Sequence, residues 1–221
     1  WTFEAGLDAN SDNFIEAHEF VSFFTSQGMD FNGDGEYDLR DVVYKDEDSG
    51  VNSPFLDGID GDGNSYTDDI FGWDCSGYYG NSGSQDPDPF PKEDATNNST
   101  WAHGTHVAGI LAATTDNLLG MASASYNAKF MSVKASKDNQ SGEPGINHGY
   151  QGILYAAKAG HDDLNGNGSW DLGEPFAIIN NSWGGGGFSN SENTTINTAY
   201  NTYGAVVVAA AGNGDDSGGD E

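Results

Sequence analysis

The sequence predicts an α/β fold, a doubly wound parallel sheet interrupted by oxygen-rich loops, on three observations. Two short apolar runs, residues 176–182 and 205–211, flank a helix-like segment from about Asn193 to Tyr203. Strand, helix and strand in that order make a right-handed parallel unit. Upstream, Val107, Ile110 and Leu111 fall three and four residues apart, so they share one face of a helix opened by His103. Elsewhere, glycine-punctuated stretches carry Asp or Asn at every second residue, a pattern that curves into tight loops and makes neither helix nor sheet.

At 221 residues the chain suits one core with insertions. Seven Lys and Arg against 35 Asp and Glu leave a net charge of −28. That charge argues against nucleic acids and anionic membranes as partners, because their binding surfaces are basic. It favours divalent cations or a high-salt medium. The single cysteine, Cys75, rules out an internal disulfide, so cross-linking falls to packing or to metal. No stretch reaches the length of a membrane span. A monomer is expected. The chain starts at Trp1 without Met or a leader-like segment, and is expected to be an internal piece of a longer, exported precursor.

Taken in order, the first loop places Asp8, Asn10, Asp12, Glu16 and Glu19 at positions one, three, five, nine and twelve of a twelve-residue stretch. This is the EF-hand calcium spacing. Asn13 stands where glycine is usual, which is tolerable because Asn enters the left-handed region readily. Phe20, Val21, Phe23 and Phe24 then suit a short exit helix with a buried face. A second loop repeats the spacing with Asp30, Asn32, Asp34, Asp38 and Asp41, with Gly35 in the sixth place. It ends in Asp and not Glu, which resembles dockerin-type calcium repeats. The two start 22 residues apart (30 − 8), so one helix separates them and the pair makes a compact clip. Residues 1–50 are expected to form this EF-hand/dockerin-like insertion, ahead of the main domain over 51–221.

A third acidic stretch carries Asp60, Asp62, Asn64, Asp68 and Asp69, with Phe71 and Trp73 as buried anchors. Residues 75–100 read as a surface loop. After the His103 helix come a strand over Ala128–Lys134 and a helix over Gly149–Ala159 with Ile153, Leu154 and Ala157 inward. A fourth loop, an insertion at 162–175, places Asp163, Asn165, Asn167, Asp171 and Glu174 at the same five positions, with Gly168 in the sixth. Calcium is the expected cofactor of all these loops. A solvated acidic turn is the alternative for the first, third and fourth.

Three segments carry a resemblance. His103-Gly104-Thr105-His106-Val107-Ala108-Gly109 opens the helix; Asn180-Asn181-Ser182-Trp183-Gly184-Gly185 closes one apolar run; Ala209-Ala210-Ala211-Gly212-Asn213 closes the other. In this order they resemble the subtilisin-like serine proteases, the subtilases, over roughly residues 57–214. The resemblance implies a serine endopeptidase acting on protein or peptide substrates, secreted or at the cell surface. It implies that His103 is the catalytic base and that Asn213 donates to the oxyanion. It also implies that Ser182, Trp183 and Gly184 line the substrate pocket and pair with substrate backbone. Trp183 is bulkier than the leucine common there. No Gly-Thr-Ser-Met-Ala-like nucleophile motif occurs in the 221 residues, so the fragment alone is expected to be inactive. Asp48-Ser49-Gly50 matches the family's aspartate motif, but Tyr44-Lys45-Asp46-Glu47 before it cannot end a buried strand. The catalytic aspartate is therefore expected upstream of Trp1. The alternative is a non-catalytic calcium-binding adhesion module, or a dockerin-like interaction module.

Overall fold

The computed structural model describes residues 9, 11, 17–44, 52–77, 85–90, 102–126, 128–137, 145–185, 187 and 189–214. They fall into two units, one of residues 1–72 with 86–90, the other of residues 73–85 with 91–221.

In the first unit, α1 (Ala17–Gln27) and α2 (Leu39–Val43) hold a small aromatic core. Phe20 and Phe24, one helical turn apart, are buried with Val42, and Phe23, Phe31, Phe55 and Phe71 pack around them. The rings meet edge to face, Phe20 on Phe71 at 5.5 Å and Phe24 on Phe31 at 6.0 Å. That is the geometry their quadrupoles prefer. Gly28 ends α1 in the left-handed region, at φ 66°. Asp38 starts α2 by accepting the Arg40 N–H, and Asp41 closes a capping box. One helix thus lies between the first two loops, as their spacing required.

The second unit contains Trp73 and Asp74 of β1 (Gly72–Asp74), then α3 (His103–Ala112), β2 (Ser132–Lys134), α4 (Gly149–Ala159), β3 (Ile178–Asn181), α5 (Asn190–Tyr203) and β4 (Val206–Ala209). Its core is Ile153, Ala156, Ala157, Ile179, Ala199 and Ala205, with Val133, Tyr150, Trp183 and Val207 packed against it. Small residues on α4 and α5 let those helices lie close to each other, α4 against β3 and α5 against β4. α5 ends in a left-handed cap: Gly204, at φ 67°, donates to the Tyr200 carbonyl, and the Ala205 N–H donates to that of Ala199.

Three expectations need correction. Among the described residues there is no single wound sheet, but two two-stranded ones, β1 with β2 and β3 with β4. The parallel β3–α5–β4 unit is present. The predicted strand over 128–134 shortens to 132–134, because Phe130 is 57% exposed and joins no layer. On α4 the deeply buried ring is Tyr155, stacked on Trp73 at 6.1 Å, whereas Leu154 is half-buried. The helix opened by His103 buries no residue: Ile110 and Leu111 are exposed, since that face looks onto a cavity and not a packed layer.

Cys75 is buried, and desolvation with the neighbouring Asp74 charge pushes its thiol up to about 12. Thiolate is the reactive form. The folded chain is therefore expected to resist iodoacetamide at pH 8 and to react only on unfolding, read as one mass increment.

Candidate functional site

The register of β3 and β4 builds the site. Ile178 pairs with Val206 and Asn181 with Ala209, so both strands leave the sheet at the same edge. The Ala210 N–H donates to the Asn181 carbonyl at 3.0 Å and carries the pairing beyond the strands. Asn181 is buried and its amide donates to the Ile179 and Val208 carbonyls, fastening this end of the sheet. The segments leaving the two strands are therefore brought side by side: Ser182-Trp183-Gly184 after β3, Gly212-Asn213 after β4. Gly212 and Gly214 have φ of 84° and 71° and turn the chain on both sides of Asn213, which stands exposed.

His103 is the first residue of α3 and is exposed. Val107, Ile110 and Leu111 of that helix share a cavity of about 280 Å³ with Ala124, Asn180 and Ser182. The helix headed by His103 thus faces the end of β3. Ser182 lies in that cavity wall, and its Oγ accepts from the Asn180 amide at 2.9 Å. Trp183 lies half-buried over the first turn of α4, edge-on to Tyr150 at 5.7 Å, with its ring so close to Gly149 that a side chain there would overlap it. Gly184 beside it is exposed.

Three of the acidic loops share one hydrogen-bond ladder. The first carboxylate accepts from the fourth and sixth N–H groups: Asp30 from Gly33 and Gly35, Asp60 from Gly63 and Ser65, Asp163 from Gly166 and Gly168, all at 2.6–3.0 Å. The third oxygen, on Asn32, Asp62 or Asn165, accepts the fifth N–H. The fifth, on Asp34, Asn64 or Asn167, accepts the seventh. Positions four and six are left-handed in all three loops. Ser65 is the one non-glycine among these six, at φ 76°, a conformation that costs a side chain about 1 kcal/mol or more.

The closing residues differ. Asp41 is fully buried and accepts the N–H groups of Phe31, at position two, and of Asp38. Glu19 is buried and accepts the corresponding Ala9 N–H at 2.9 Å. Glu174 is buried and accepts the Asp171 N–H and the Asn165 amide. Asp69 accepts the Asn64 amide at 2.9 Å. Asp68 departs: it turns to the N–H groups of Asp57 and Gly58, outside its own loop. Asp8, Asn10, Asp12, Glu16 and Asp48 lie outside the described residues.

The Gly168 N–H, joined by its neighbours, holds the Asp163 carboxyl below the usual range. Desolvation pushes Asp60 up, but the Ser65 and Gly63 N–H groups outweigh it and its carboxyl also falls. Desolvation raises Asp62 and Asp68. Among the described residues no three His, Cys, Asp or Glu side chains are grouped to hold a metal. Asn supplies part of each ring, and a donor set of hard oxygens suits Ca²⁺ over zinc or copper. In the Asp163 loop the Asn165 and Asn167 amides both donate to Asp171, at 2.8 and 2.6 Å, and draw the oxygens together.

Residues 48–221 match the Subtilase family. The chain belongs to that family. Among its relatives, the "Extracellular basic protease" of Dichelobacter nodosus is 35% identical over 141 residues, 64% of this chain and 20% of that protein. "Thermitase" of Thermoactinomyces vulgaris is 34% identical over 124 residues, 56% of this chain and 38% of its own. "Subtilisin DY" of Bacillus licheniformis is 33% identical over 129 residues, 58% of this chain and 40% of its own. The subtilase chain thus spans a fifth to two-fifths of these relatives. Its match begins at Asp48, so the first two loops precede it. The sequence reading of this subtilase gave Asp57 no role of its own, although its N–H anchors Asp68, and missed the Asp74–Lys134 ion pair. It also missed the docking of Trp170 on α5. An aromatic at position eight of a calcium-type loop was the available signal for the last.

Proposed function

We propose that this chain carries the base and the oxyanion donor of a secreted, calcium-stabilised serine endopeptidase. The Asn181–Ala209 register carries the reading, because it sets Ser182–Gly184 and Asn213 together at the sheet edge that α3 faces. His103 takes the proton from a serine hydroxyl as it attacks the scissile carbonyl, then returns it to the leaving amine. Asn213 donates its side-chain amide to the oxygen that becomes negative in the tetrahedral intermediate. Ser182, Trp183 and Gly184 are the substrate-binding residues, pairing as a strand with the peptide backbone. With no nucleophile motif in these residues, the hydroxyl comes from outside them.

The test is a fluorophosphonate probe with casein as substrate. The full-length protein is expected to be labelled and to cleave; the 221-residue chain is expected to do neither. Labelling of the short chain would overturn the assignment. Exchanging Asn213 for leucine in the full-length enzyme is expected to lower kcat by about 10²–10³, the scale of the oxyanion asparagine in subtilisin itself. KM should change little, because the ground-state carbonyl needs that amide less than the intermediate does.

Calcium at the Asp30, Asp60 and Asp163 loops is the second part of the proposal. Glu19 and its loop, with Asp8, Asn10, Asp12 and Glu16, are taken as a fourth site, and Asp68 as an outer member of the third stretch. Bound only by the folded form, an ion at a hundredfold excess over its Kd stabilises by about 2.7 kcal/mol. EDTA is thus expected to lower the Tm by roughly 5–10 °C where the Asp163 site controls unfolding of the larger unit, and by roughly 10–20 °C where the Asp30 or Asp60 site controls that of the smaller one. An unchanged melt in EDTA would remove the calcium reading.

A further inference from the structure

The 163–174 loop is packed onto the junction between α5 and β4. The Trp170 N–H donates to the Thr202 carbonyl at 2.7 Å, satisfying one of the last-turn acceptors that a helix leaves open. Its indole ring lies against Gly204 so closely that any side chain at that position would overlap it. Gly204 is the left-handed turn from which β4 departs, and β4 leads to Asn213.

Trp170 is tied equally firmly to the closing end of the loop. Its Nε1–H donates to the Glu174 carbonyl at 2.9 Å, and the Glu174 carboxylate accepts the Asp171 N–H. Beside that carboxylate lies a buried polar atom without a hydrogen-bond partner: His161 Nε2, 3.8 Å from Glu174 Oε2, on a side chain 8% exposed. The His161 ring in turn meets Tyr203, the last residue of α5, at 5.6 Å. Glu174 therefore sits between an unsatisfied imidazole and the oxygen ring of the loop, and both routes away from it lead to the end of α5.

We propose that the 163–174 loop is a calcium-dependent splint for the α5–β4 junction, with Trp170 as the residue that transmits loop closure to Gly204. This rests on the reading of that loop as a calcium site. A cation drawing Glu174 toward the loop oxygens fixes the Glu174 carbonyl, hence the indole, hence the turn that aims β4. The loop lies at the opposite end of the strand from Asn213, so Trp170 is a positioning residue and touches no substrate.

Hydrogen exchange on the full-length protein tests this, with CaCl₂ or EDTA, on wild type and on Trp170→Phe. In wild type, calcium at a hundredfold excess over Kd is expected to slow exchange by up to about 100-fold at residues 163–174 and also at 204–208. Trp170→Phe keeps a ring against Gly204 but loses the indole donor. It is expected to retain the calcium effect at 163–174 and lose most of it at 204–208. Protection confined to 163–174 in wild type would overturn the splint and leave the calcium reading standing. No calcium effect at either segment, with no heat of binding by calorimetry, would overturn both. Equal calcium protection at 204–208 in wild type and Trp170→Phe would remove Trp170 from the route and overturn the proposal as stated.

Discussion

Replacing His103 with alanine in the full-length enzyme is expected to lower kcat on the order of 10⁶-fold, the scale at which subtilisin itself responds to loss of its triad histidine. A serine hydroxyl is a poor nucleophile at neutral pH, and an amine is a poor leaving group until protonated. One imidazole addresses both difficulties in turn. On the proposed assignment the Asn213 amide would still stabilise the intermediate, so a remainder of about 10³–10⁴ over the uncatalysed reaction is expected to persist. Because His103 is exposed and α3 buries no residue, the substitution removes almost no packing. Surface changes of this kind stay within about 0.5 kcal/mol, so the melt should not move while the rate collapses. Initial rates on a peptide amide, read beside the Tm, make the measurement. A variant that kept a hundredth of the wild-type kcat would place the base elsewhere.

The proposed site residues were legible through the resemblance, whose motifs are short and local; in the structure His103 heads α3, and Asn213 follows β4 and Gly212. Helix ends were legible for a similar reason. Gly160 and Gly204 mark the ends of α4 and α5, and the predicted ends at Ala159 and Tyr203 agree with the observed ones. The start of α5 was read three residues late, since Asn190, Ser191 and Glu192 carry no apolar periodicity and Ser189 makes no side-chain cap. Burial was less legible. Spacing assigns Ile110 and Leu111 to one face but cannot say whether a layer covers it. Long-range partners left no trace at all. Nothing near Asp74 indicates Lys134, 60 residues away, and nothing near Trp170 indicates Gly204.

That distant ion pair is where the largest loss of stability is expected. Lys134 and Asp74 join β2 to β1 at 2.5 Å with side chains 6% and 3% exposed. Breaking a buried pair by removing one partner costs about 3–5 kcal/mol, because the other charge stays desolvated. The two halves should not be equal. Asp74 also accepts the Ser76 N–H, the Ser76 hydroxyl and the Gly77 N–H, all through Oδ1. Lys134→Met therefore leaves a carboxylate with three donors and should fall at the low end of that range. Asp74→Leu strips those three donors as well as the ammonium and should fall at or above its upper end. The double variant should cost less than the sum, since it leaves no uncompensated charge. Four of the five tryptophans, at 73, 101, 170 and 183, belong to the second unit, so urea unfolding followed by intrinsic fluorescence reports on the part of the chain that holds the pair. Additive losses in the double-mutant cycle would mean that the ammonium and the carboxylate are held apart by solvent, and that the Ser76 turn alone keeps Asp74 in place.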